Sequence, residues 1–145
     1  MKEANQLLQY VQGFFQDYLR SHRGMSSHTV LAYRDTVKLF MCFLARHTGK
    51  VVAKLSLDHL NSDAVLAFLG DIEESRKNSV TTRNLRLSAL RTFFGYLITR
   101  DTLRSGQYQR AIAIPLKQSS RPLMGYLEAG EVKEILKPQS TRPLL

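Results

Sequence analysis

The chain has 145 residues, enough for one domain with a real core but short for a core plus a separate catalytic domain. At 43% hydrophobic, with four prolines and eight glycines, it falls outside the disordered and collagenous classes and should fold. Its 21 Lys and Arg against 12 Asp and Glu give a formal charge of +9, which favours polyanionic partners: nucleic acid first, then an acidic membrane surface or acidic protein.

Leu7, Leu8, Val11, Phe14, Phe15, Tyr18 and Leu19 recur at three-and-four spacing, predicting an amphipathic helix over 5–20. Gly24 is placed to end it through a left-handed backbone. Glutamines, Glu3 and Asp17 interrupt this segment, so it resembles neither a signal peptide nor a membrane span. No other window reaches spanning length, and a reducing, cytoplasmic setting is expected.

A second helix of about twenty residues follows, with Ser26 or Ser27 as N-cap and Thr48-Gly49 as its close. Val30, Tyr33, Val37, Phe40, Met41 and Leu44 form its core stripe, while Ser27, Arg34 and Lys38 make a polar, mostly basic ridge opposite. Cys42, the single cysteine, excludes an internal disulfide, and in this apolar helix it is expected to be a buried, inert thiol. A third helix is capped near Asn61-Ser62 and turns Val65, Leu66, Phe68, Leu69 and Ile72 inward. Asp71, Glu73 and Glu74 make its outer face acidic and unsuited to phosphate.

The fourth helix runs from a Ser79 cap to about Arg100. It lies in a stretch between Glu74 and Asp101 that holds six basic residues and no acid. At about 100 degrees per residue, the apolar arc of Leu90, Phe93, Phe94 and Leu97 extends backwards into Ser79, Thr82, Arg83 and Arg86. The back of the helix carries Thr81, Asn84, Ser88 and Gly95. A buried, unpaired arginine is very costly, so the first two turns are expected to project beyond the core. With hydroxyls at Ser79, Thr81 and Thr82 and free N–H groups at the helix start, they would form a phosphate receptor. The alternative is a solvated helix end whose arginines pair with acids such as Asp71 or Glu74.

Past Arg100 the pattern supplies one short helix before Pro115, then a polar, basic linker with Lys117 and Arg121, then a helical start at "YLEAGEVKEIL". The expected organisation is a helical domain over 1–114, a linker over 115–125 and the opening of another domain over 126–145. With no strand pattern or repeat, the fold class is all-α: a small bundle of four main helices plus a short fifth.

Several motifs occur in a recognisable order. They are "S-x-x-T-x-x-x-Y" at Ser26, Thr29 and Tyr33, an acidic-faced helix, "TRNLRLSALRTFFGYL" from Thr82 to Leu97, and a proline-and-lysine linker leading to "YLEAGEVKEIL". This order resembles the tyrosine recombinases, the phage integrase or Xer-like family, from about Leu7 to Leu136. The resemblance implies a SAM-like core-binding domain that forms one half of a clamp on a duplex DNA recombination half-site, with the N-terminal parts of the second and fourth helices toward the major groove. On that basis the DNA-contacting candidates are Ser27, His28, Arg34, Lys38, Thr81, Thr82, Arg83, Arg86, Lys117 and Arg121. The resemblance also implies a chain that is monomeric alone, a full-length parent that forms a tetramer on DNA, and a place in the cytoplasm at the nucleoid. Family chemistry uses a tyrosine nucleophile with arginines, a lysine and histidines in a C-terminal domain, and the first of those arginines sits in a "T-G-L-R" segment. That segment would come after Leu145, so the sequence reads as a DNA-binding part and not as an enzyme.

The four histidines, His22, His28, His47 and His59, show no HExxH or other ligand spacing, so no metal is expected. There is no GxGxxG or GxxxxGK[ST], so no cofactor is expected either. The rival function is a helical protein-interaction module whose basic face meets an acidic partner.

Overall fold

The computed structural model describes residues 2–21, 24–75, 77 and 79–118. Helix α1 (Lys2–Gly13) runs on through a π-helical turn (Phe14–Tyr18) into a last turn at Leu19–Ser21. It is followed by α2 (Ser27–Thr48), α3 (Ser62–Glu74), α4 (Val80–Arg100) and α5 (Ser105–Ile112). Short 3-10 turns at Val52–Lys54, Leu57–His59 and Thr102–Arg104 link them, and no strand occurs among the described residues. The all-α architecture of four main helices and a short fifth is as expected.

Local chemistry sets the boundaries. Ser26, Asn61 and Ser79 each stand in extended backbone and accept a bond from the amide three residues on, satisfying one of the orphan donors at each helix start. Gly24 and Gly49 take positive φ, +80 and +75, and only at such points does glycine's missing Cβ matter to the backbone. The π turn in α1 was not foreseen, since apolar spacing does not distinguish it from α-helix. It brings Phe14 to 5.1 Å from the Phe93 ring and 5.5 Å from the Tyr18 ring, all against α4. Gly13 sits just before it because a Cβ there would collide with the Tyr96 hydroxyl.

The core lies between α2, α3 and α4, closed by α1 and α5: Val37, Phe40 and Leu44 meet Phe68, Leu69, Phe93, Phe94 and Tyr108, all fully buried. Phe40 packs edge-on at 5.3 Å from Phe68 and 6.2 Å from Phe94. A polar knot fixes α5. The Tyr108 hydroxyl donates to buried Asp101 at 2.7 Å, and Arg104 bridges Asp101 at 3.2 Å and Asp58 at 2.8 Å. The Gln107 amide donates to Leu57 O at 2.9 Å and Leu60 O at 2.6 Å, tying the same helix to the connector before α3.

Two expectations about the core are corrected. Leu66 is 50% exposed, because it stands at the flank of the apolar arc, about 100 degrees round α3 from Val65. Cys42 is exposed, since it continues the outer ridge of α2 one turn beyond Lys38.

Candidate nucleic-acid interface

The starts of α2 and α4 are built alike. At α2 the Ser26 hydroxyl accepts from the Thr29 amide at 3.1 Å and donates to the Thr29 hydroxyl at 3.0 Å. At α4 Ser79 treats Thr82 the same way, at 3.2 Å in both contacts. The two helices are then stitched together: Arg86 Nη1 donates to the hydroxyl of buried Thr36 at 2.9 Å, and that hydroxyl donates to Ala32 O at 2.8 Å. Further along, Phe40 meets Phe94. These contacts ascend together on both helices, so α2 and α4 run the same way and their positive N-terminal ends lie at one end of the bundle.

The candidates divide by exposure. Ser27, His28, Lys38 and Thr81 are exposed, and Arg34 and Thr82 are half-buried. Arg34 lies over the Phe15 ring, its guanidinium carbon 5.2 Å from the ring centre, while Ser27 and Lys38 stand exposed on the same helix. Leu31, 56% exposed, and exposed Asp35 share this stretch of α2, and Leu85, 50% exposed, stands on α4. Exposed Lys77, with φ +55, precedes the α4 cap and adds a cation that the motif order did not single out.

The expected outward projection of Arg83 and Arg86 is overturned. Arg83 is only 9% exposed; its Nη1 donates to Asn84 Oδ1 at 3.2 Å and its Nε lies 3.9 Å from Glu73 Oε1. Arg86 is half-buried against α2. Each leaves a buried Nε without a hydrogen bond. The physical reason is that α3 delivers Glu73, and α2 delivers Thr36, to the face of α4 that the sequence pattern left without partners. The alternative of pairing with an acid of α3 holds for Arg83, through Glu73; Asp71 lies 3.7 Å from Arg46 instead.

Lys117 is tied down by Glu73 Oε2, 2.9 Å from its ammonium, although half of its side chain remains exposed. Arg121 and the 126–145 segment lie outside the described residues.

Residues 13–101 match the family model described as phage integrase, N-terminal SAM-like domain. The chain belongs to that family. Two Sinorhizobium fredii proteins named as integrase/recombinases are similar to it: y4rD, 32% identical over 98% of this chain and 50% of its own length, and y4rC, 35% identical over 94% and 41%. The tyrosine recombinase XerC of Vibrio parahaemolyticus is 32% identical over 90% of this chain and 39% of its own. The chain thus spans half or less of the length of these relatives. No solved structure matches.

Among the described residues no group of His, Cys, Asp or Glu is arranged to hold a metal ion. His59 Nδ1 is occupied by the Ser56 amide at 2.9 Å, which makes it part of a turn. Tyr108 is fully buried, and burial, reinforced by its bond to Asp101, holds its hydroxyl well above the ordinary tyrosine range. Such a group is a poor nucleophile. No helix among the described residues is long and apolar enough to cross a membrane.

Proposed function

We propose that this domain grips duplex DNA as the N-terminal clamp half of a site-specific tyrosine recombinase, acting in DNA integration and recombination at the nucleoid. In this reading residues 1–114 are the DNA-binding unit, 115–125 the linker, and 126–145 the opening of a catalytic domain that carries the chemistry. The parent protein would assemble as a tetramer on its recombination site.

One observation carries the reading: two parallel helices present equivalent Ser–Thr caps at the same end, flanked by Ser27, His28 and Thr81, with the exposed cation Lys38 about three turns further along α2. Helix N-termini offer unpaired N–H groups and a positive dipole, which suits phosphate oxygens. Leu31 and Leu85 add apolar surface of the kind that meets thymine methyls. Arg34, Lys77 and Lys117 supply further charge from the periphery. Arg83 serves from beneath, holding α4 to α3, and Arg86 holds α4 to α2.

With those two arginines turned inward, roughly four phosphate contacts are expected, and affinity should fall about 100-fold between 50 and 200 mM salt. A mobility-shift titration across that range tests this. Binding that is absent, or indifferent to salt, would overturn it and leave the acidic-protein partner as the better account of the charge.

A further inference from the structure

The back of α4, the face of Thr81, Asn84 and Ser88, holds something else. Arg91 Nη2 donates to Ile114 O, and one turn from the α4 start Asn84 makes a two-point contact with the backbone of Lys117. Asn84 Nδ2 donates to Lys117 O at 2.7 Å, and the Lys117 amide donates to Asn84 Oδ1 at 2.9 Å. This is how one strand satisfies another, performed here by a side chain. The Lys117 ammonium on Glu73 adds a third tie.

The dimensions fit. Arg91 and Asn84 are seven residues apart on one face of the helix, about 10.5 Å of rise. Ile114 to Lys117 is three residues, about 10 Å when extended. The segment therefore runs antiparallel to α4, from mid-helix toward its start. Its sequence suits that path: Pro115 needs no hydrogen-bond acceptor and biases Ile114 toward extended backbone, while Ile114 itself is buried.

We infer that the back of α4 is a docking rail, on which Asn84 and Arg91 clamp residues 114–117 and so fix the point and direction from which the rest of the chain departs. Asn84 meets only the backbone of Lys117, so its two bonds there are indifferent to the side chain at 117. A fixed departure point would narrow the orientations open to a second clamp half. That consequence rests on the DNA-binding proposal, whereas the docking itself does not.

Amide hydrogen exchange of the 145-residue chain without DNA tests the clamp. Two hydrogen bonds worth roughly fivefold each should slow the Lys117 amide about 25-fold relative to unstructured chain. Asn84→Ala should abolish this protection while the α5 amides keep theirs. Lys117→Gln should retain it, since the backbone contacts remain. If Asn84→Ala also loosens α5, Pro115→Gly decides: it leaves α4 untouched and should speed exchange at 117 about two- to fivefold. The inference is overturned by free exchange at Lys117 in the wild type, by unaltered protection in Asn84→Ala, or by an unaltered rate in Pro115→Gly. None of these results bears on whether the caps bind DNA.

Discussion

Glu73→Ala should destabilise the domain because it strands a buried guanidinium. The Arg83 side chain is 11% exposed and its Nε lies 3.9 Å from Glu73. At an effective dielectric of about 20 that separation corresponds to an attraction near 4 kcal/mol. Part of it is recovered, because Arg83 keeps Asn84 and water can enter where the 26%-exposed carboxylate stood. A net loss of about 2 kcal/mol follows, below the roughly 3–5 kcal/mol of a fully buried pair because the carboxylate is partly exposed. For a domain of this size that lowers Tm by roughly 8 °C. Losing the Lys117 partner adds little, since that ammonium is half exposed. The sharper test is the cycle with Arg83→Met. Methionine fills the space without a charge to strand, so Glu73→Ala/Arg83→Met should be more stable than Glu73→Ala alone, by about 1 kcal/mol. Urea denaturation followed by circular dichroism measures all four proteins. A cost below 0.5 kcal/mol for Glu73→Ala, or strictly additive costs, would mean that Arg83 is not held inside by this carboxylate.

Gly13→Ala should cost about 1–3 kcal/mol in the same assay, because its methyl would displace the Tyr96 ring from its packing against Phe14; an unchanged midpoint would contradict the close approach. Tyr108→Phe should cost about 1–2 kcal/mol by leaving buried Asp101 one donor short. The folded-state tyrosine is raised above its ordinary 10.0, so its contribution is complete below pH 10 and is lost as pH rises further. Stability of the wild type should therefore fall more steeply above pH 10 than that of Tyr108→Phe; parallel curves would count against the buried bond. Ser79→Ala should remove about 1 kcal/mol by opening the α4 cap, visible as faster exchange in the first turn, with no change expected in α5.

The helices were legible because their punctuation is local. Ser26, Asn61, Ser79 and the glycines at 24 and 49 act on their immediate neighbours, and three-and-four spacing reports which face is apolar. The motif order also carried the family. What the pattern could not show was the fate of the arginines. Arg83 and Arg86 lie on the apolar arc of α4, and the cost of burying charge argued for projection. Burial is tolerable only because α3 brings Glu73 and α2 brings Thr36, and helix crossings are not written in periodicity. Cys42 fails for the same kind of reason, since an apolar neighbourhood in sequence includes its own outward turn. Asn84 read as part of a polar back face, and its role needs the 114–117 segment folded against it. The π turn at Phe14–Tyr18 leaves no signal beyond aromatic richness.

The most direct measurement is the affinity of a labelled duplex for the wild type, Lys38→Ala and Arg83→Met, by fluorescence anisotropy over a salt series. Lys38 is exposed on the α2 ridge, so its loss should weaken binding several-fold and reduce the slope of log affinity against log salt by about 0.9. Arg83→Met should bind with an unaltered slope wherever it is folded. If Arg83→Met flattens the slope and Lys38→Ala does not, the charge that meets DNA comes from the guanidinium placed here inside the bundle, and the interface drawn on the caps of α2 and α4 is wrong.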